Sequence, residues 1–323
     1  ADVVLNGRCA AEDVELERDV VLEEIAMRDD DPEDALGDMF LSALFGDHPV
    51  GRPVIGTAQS VSAMTRTQLH SFHVRRYTPE RMVVAVAGNV DHDEVVALVR
   101  EHFRPHLVRG RQPAPPRKTA GRLTGEPTLA LAKRDAEQTH LSLGVRTPGR
   151  GWEHRWALAV LNTALGGGLS SRLFQEVRES RGLAYSVYSS LDVFADSGAL
   201  SVYAACLPER FPDVMQVTSN VLKSVARDGI TEAECRIAKG SLRGGLVLGL
   251  EDSSSRMSRI GRSELNYGKH RSIEHTLQQI GDVTVEEVNA VATRLLGKRY
   301  GAAVVGPYAS KRSLPQQLRA MVN

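Results

Sequence analysis

The sequence has 323 residues, 42% hydrophobic and 25% charged, with 40 basic side chains against 40 acidic ones and a formal net charge of zero. That balance gives no general attraction to nucleic acid or an anionic membrane, and the longest apolar run, Met82–Ala87, is far too short to span a bilayer. The length is that of two ordinary domains, and the scattered Cys9, Cys206 and Cys235, with no CxxC pair, predict reduced thiols in a cytoplasmic protein rather than disulfides or a thiolate metal site.

In chain order, apolar periodicity predicts helices over 11–30, 33–46 and 59–77, a strand over 82–88 and a helix over 92–103. Between the second and third helices, FGDHPVGRPVIGT reads as a Gly/Pro-punctuated loop. The composition then shifts to prolines and basic residues, an extended linker. Strands near 128–134 and 139–146 and a helix over 153–165 follow. After Gly166-Gly167-Gly168, Ser170 or Ser171 can cap a helix carrying Leu173, Phe174 and Val177, and Gly182 suits its left-handed end. An alternating strand over 185–193 pairs back through a turn at 195–198 with a strand at 199–206. Helices near 208–227, 232–249, 253–267, 271–280 and 285–296 precede a last strand at 300–305.

Two stretches repeat. Thr65-Arg-Thr-Gln68 is a capping-box signature leading to Arg76-Tyr77 and MVVAVAG. Thr284-Val-Glu-Glu287, 219 residues later, leads to Arg299-Tyr300 and AAVVG. Two copies of one domain type are expected: residues 1–105, a linker over 106–125, and 126–323. By the same spacing the first copy is expected to lack a front part of roughly ninety residues. The chain opens on Ala1, not methionine.

On the first helix Glu17 and Glu24 lie nearly two turns apart, in the middle of an arc formed by Val14, Leu16, Val20, Val21, Ile25 and Met27. Carboxylates on a core-facing arc need a cation, a metal or strong donors, and a salt bridge to Arg18 or Arg28 is the plain alternative. At the repeat spacing the second copy carries Arg236 and Arg243 instead. Gly166–Ser171 lacks GxxxxGK[ST], so it is not a phosphate loop of that kind. His270 and His275 are five apart, on different helix faces, and read as a solvated helix start. His48, before Pro49, reads as a loop turn.

Taken together, Glu17-Arg-Asp-Val-Val-Leu-Glu-Glu24, HPVGRPVIG, VAVAGNVDHDEV, GGGLSSRLFQEVRESRGLAYSVYSS and GRSELNYGK resemble the pitrilysin/insulinase-type zinc peptidases, the inverzincins, in the bacterial branch near the mitochondrial processing peptidase β subunit. The resemblance implies an α+β fold of two related domains, each a mainly antiparallel sheet with packed helices, the first incomplete. It also implies a Zn2+-dependent endopeptidase subunit that cleaves peptides or unfolded segments in a clamshell chamber. Glu24 matches the glutamate zinc ligand, and Glu17 the carboxylate that steadies it. Arg178 and Tyr185 match the pair that holds the substrate backbone, and Phe174 a frequent aromatic neighbour. The two histidine ligands and the catalytic glutamate of HxxEH do not occur in the 323 residues and are expected upstream. This chain is therefore expected to lack zinc and activity by itself. A homodimer in which the arginine–tyrosine pair faces the partner's zinc site is implied as well. A non-catalytic structural or substrate-binding homologue is the alternative.

Overall fold

The structure, a computed structural model, describes residues 1–107, 123 and 125–323. Most of the expected linker at 106–125 lies outside the described residues.

A short α1 (Asp2–Leu5) precedes α2 (Ala11–Asp30) and α3 (Pro32–Phe45). Asp31 opens α3 by accepting from the amides of Glu33 and Asp34, which satisfies two orphan donors of the first turn. The helix expected over 59–77 is two, α4 (Ala58–Ser62) and α5 (Arg66–Arg76), because Thr65 and Gln68 form the capping box that starts the second. α6 (His92–Phe103) follows, with Asp91 as its cap. Then come β1 (Leu129–Lys133), β2 (Thr139–Pro148), α7 (Arg155–Gly166), β3 (Ser186–Val193) and β4 (Ser197–Cys206). The last third contains α8 (Phe211–Asp228), α9 (Glu232–Gly249), α10 (Ser253–Tyr267), α11 (Ile273–Asp282), α12 (Val285–Leu296), β5 (Gly301–Gly306) and α13 (Gln316–Val322). No helix of the described residues is long and apolar enough to cross a membrane.

The described residues group into two compact units. One contains Ala1–Ala26, 55–107 and Gly245–Ile273; the other contains Met27–Val54, 123, 125–244 and Glu274–Asn323. The units are not the sequence intervals 1–105 and 126–323: α3, from the first copy, belongs to the second unit, and α10, from the second copy, to the first. Thr284 caps α12 with the same reciprocal box that Thr65 makes on α5, and the C-terminal ends of α2 and α9, Asp30 and Gly249, keep the 219-residue spacing.

The second unit is built on a five-stranded sheet in the order β1-β5-β2-β4-β3, antiparallel except for β1 with β5. Every residue of β4 and β5 is buried. One face packs Leu141, Leu143, Val202 and Val304 against Leu158, Leu161, Phe211, Val291 and Leu295 of α7, α8 and α12. The opposite face packs Tyr203, Ala303 and Val305 against Leu36, Phe40 and Leu44 of α3. Polar ties fix that helix: Arg146 Nε donates to Leu44 O at 2.6 Å, and Tyr188 Oη donates to Glu33 Oε1 at 3.1 Å. Burial, then that glutamate, pushes the Tyr188 phenol up to about 12.

In the first unit the strand expected over 82–88 does not form. A strand needs a hydrogen-bonded neighbour, and the described residues pair none with Met82–Ala87, although Ile260 of α10 and Val95, Val96 and Val99 of α6 line a cavity beside it. Val83, Val84 and Val86 are exposed.

Candidate functional site

The stretch after α7 forms a tight corner in the second unit. Gly166 ends α7 against β3; a Cβ there would stand 2.3 Å from the Ser189 amide nitrogen, so only glycine lets the helix approach the strand this closely. Ser189 Oγ donates to Asn162 O at 3.0 Å and ties the same two elements. The expected serine cap is absent: Ser171 Oγ turns back and donates to Gly168 O at 2.5 Å, bracing the loop instead of receiving a helix amide.

Phe174–Glu179 is a widened π turn rather than a regular helix. Ser180 N donates to Gln175 O, five residues back, at 2.9 Å. Leu173 and Val177 are fully buried and anchor it. Gly182, at φ +57°, ends it in the left-handed region as the sequence predicts, with its amide on Arg178 O and that of Leu183 on Val177 O, both at 2.9 Å. The extra residue of the π turn widens this closure by one position and sets the line of the chain into β3.

That closure brings Arg178 and Tyr185 together. Arg178 Cζ lies 4.6 Å from the Tyr185 ring centroid and 5.0 Å from that of Phe174, so the guanidinium sits between two aromatic faces. Tyr185 is 79% exposed. The neighbouring arginines are occupied: Arg172 forks onto Glu234 of α9, and Arg181 bonds Glu176. No acceptor engages Arg178 among the described residues. Stacking thus orients a charged donor group whose hydrogens stay unspent. Sequence reasoning missed Glu234, which fastens the turn to α9; the signal was Thr231-Glu-Ala-Glu234, a capping-box spacing.

Glu17 and Glu24 belong to the first unit, and both are exposed. The core-facing arc expected for α2 is narrower than its apolar residues: Val14 and Ile25 are buried, whereas Leu16, Val20 and Met27 stand open. The two glutamates lie roughly 60–90° round the helix from the buried line. Their costly burial therefore does not arise, and the arginines of the salt-bridge alternative engage other carboxylates. Arg18 pairs with Glu15 at 3.0 Å, and Arg28 with Asp29 and Asp38. Among the described residues no three His, Cys, Asp or Glu side chains converge as a metal site. His270 and His275 are exposed ahead of and within the first turn of α11, and His48 Nδ1 accepts from Val50 N in a loop turn.

The profile of the family described as peptidase M16 inactive domain matches residues 63–242. An uncharacterized zinc protease of Mycobacterium leprae is 84% identical over 323 residues, covering all of this chain and 73% of its own length. Another, of Bacillus subtilis, is 35% identical over 309 residues, 95% of this chain and 74% of its own. In fold, the chain is similar to a peptidase M16 inactive domain from Pseudomonas fluorescens, with TM-score 0.81 and 23% identity over 94% of this chain and 72% of that one. A protease from Helicobacter pylori superposes with TM-score 0.84 and 23% identity, covering 92% of this chain and 72% of its own. By profile and by relatives of this identity, the chain belongs to the M16 family of peptidases, the pitrilysin type that its motifs resemble.

Proposed function

We propose that this chain is the peptide-holding part of a zinc endopeptidase, with Arg178 and Tyr185 as the groups that bind the substrate backbone. The observation that carries this reading is the stack of Phe174, Arg178 and Tyr185, which presents an oriented, unspent guanidinium beside an exposed phenol. A peptide carbonyl set between them accepts from the Tyr185 hydroxyl and the Arg178 N–H groups. Both donors strengthen as that oxygen gains negative charge. β3 begins one residue after Tyr185 and is the last strand of its sheet, so its outer edge can receive an extended peptide as an added strand.

The described residues of this chain do not by themselves fit a zinc ion. Glu24 is the single ligand the family resemblance assigns here, with Glu17 as its supporting carboxylate, and one exposed carboxylate does not make a zinc site. The metal chemistry is accordingly assigned to residues outside this chain, and the roles above stop at binding and charge stabilisation. Processing of peptides or unfolded segments, a homodimer with this pair facing the partner's metal site, and a cytoplasmic location complete the proposal. Free thiols at Cys9, Cys206 and Cys235 support a reducing compartment.

Fluorescence anisotropy with a labelled unfolded peptide tests it. Arg178→Gln weakens binding about tenfold, the loss of roughly one charge-assisted hydrogen bond, and Tyr185→Phe weakens it less. In a zinc-loaded holoenzyme containing this chain, Tyr185→Phe lowers turnover and leaves zinc content unchanged. Parental binding and turnover in both variants would sink the assignment.

A further inference from the structure

The second unit holds a cavity of about 600 Å3 that the peptide site does not use, between one face of α9 and the start of α12. Arg236, Lys239, Gly240 and Arg243 form the α9 wall, and Val283–Glu286 the other. Seven residues separate the arginines, roughly 10 Å along the helix at 1.5 Å per residue, so both side chains line one cavity from positions nearly two turns apart.

No hydrogen bond or ion pair engages Arg236 or Arg243 among the described residues, and both side chains are exposed at the cavity rim. Elsewhere in the same unit Arg134, Arg146, Arg172 and Arg319 all donate to carbonyls or carboxylates. Lys239 is already committed, its Nζ donating to Val283 O at 2.6 Å, and it brings a third positive charge to the wall. The carboxylates that line the cavity, Glu232 and Glu286, are exposed and pair with none of the three cations. They leave the lining with an excess of one positive charge.

The internal repeat gives this wall its meaning. At the 219-residue spacing, Arg236 and Arg243 occupy the positions of Glu17 and Glu24. The same two places along the helix carry carboxylates in one copy and guanidiniums in the other, so the ligand sign is inverted. We propose that the α9–α12 cavity binds a small oxyanion with two anionic groups, a diphosphate or a dicarboxylate. Guanidiniums two turns apart match two such groups, each able to take a forked pair of N–H donors, and the volume is that of a small-ligand site.

Isothermal titration of this chain with inorganic pyrophosphate and with succinate tests the proposal and separates its two sources. Saturable one-site binding of either is expected, the tighter probe naming the source. Arg236→Gln/Arg243→Gln weakens it at least about tenfold, and the single Arg243→Lys weakens it by less while keeping the charge. Gly240→Leu blocks the cavity without touching a charge; a Cβ there meets nothing within 4 Å, so the helix accepts it. Lys223→Gln/Lys298→Gln, on α8 and in the turn after α12 and away from this lining, serves as the control and leaves affinity unchanged. Absence of saturable binding, parental affinity in Gly240→Leu, or equal loss in the control overturns the proposal.

Discussion

Replacing Glu234 by alanine removes the tie between the site-bearing turn and α9. Its carboxylate accepts from Arg172 Nε and Nη2, from Thr231 N at 2.7 Å and from Thr231 Oγ1 at 2.8 Å. The Arg172 and Glu234 side chains are 22% and 23% exposed, between the surface pairs that contribute almost nothing and the buried ones whose rupture is severe. Discounted for solvent screening, the broken fork costs about 1–2 kcal/mol, and the lost cap partner adds about 0.5–1 kcal/mol. The expected loss is thus about 2 kcal/mol, or roughly 4–8 °C in melting temperature for a unit of this size. Urea titration followed by circular dichroism measures it, with Arg172→Ala and the double variant closing a cycle whose coupling should be about 1–2 kcal/mol. The pH dependence has a definite sign. Burial alone would raise the Glu234 pKa, but the hydrogen bonds from Arg172 and Thr231 outweigh it and hold the carboxyl below its usual range. Its folded pKa being depressed, the contribution is full above the ordinary glutamate value of about 4.3 and fades as pH falls below it. A coupling near zero at neutral pH, or a difference between parent and variant that grows in acid, refutes the reasoning.

Two glycines of the corner give contrasting outcomes. Gly182→Ala keeps its space but strains a φ of +57°, costing about 1 kcal/mol; Gly166→Ala drives a methyl into the Ser189 backbone and costs more, about 2–3 kcal/mol. Equal melting temperatures for the two variants would contradict this ranking. Hydrogen exchange provides a separate check: amides of 83–87, with no ladder partner among the described residues, exchange early, while those of β4 stay protected. Comparable protection in the two segments would overturn the reading of Met82–Ala87 as unpaired.

Much of this architecture is legible from side-chain patterns, because helix caps and alternating strands are local. Thr65 and Thr284 announce their helices, Gly182 its turn, and residues 186–193 their strand. Where the outcome depends on a distant partner, local pattern fails. MVVAVA has the composition of a strand, yet composition supplies no neighbour. α13 went unread although Pro315 opens it and Leu314, Leu318 and Val322, spaced by four around and beyond that proline, are all buried. On α2, an apolar arc located the glutamates but could not say which half of it would be covered. At the site, motif resemblance singled out Arg178 and Tyr185, and the structure adds that they touch. The π turn that aligns them depends on Leu173 and Val177 being buried while the chain must still reach Gly182, a compromise no propensity scale expresses.

The position of β5 has a consequence for how the chain can come together. It is the last strand in sequence, yet it lies between β1 and β2 and supplies the buried middle of the sheet. During synthesis β3 and β4 can pair as a hairpin and β2 can join β4 as soon as they emerge, but β1 has no partner in the sheet until residues 301–306 arrive. For a span of about 170 residues β1 stays unpaired, and for most of it the free edge of β2 stays open as well, an invitation to wrong pairing. Completion of the sheet is therefore a late, long-range closure, and the slow step of folding belongs to a strand rich in alanine and glycine, whose small side chains slide into place with little rearrangement of their neighbours.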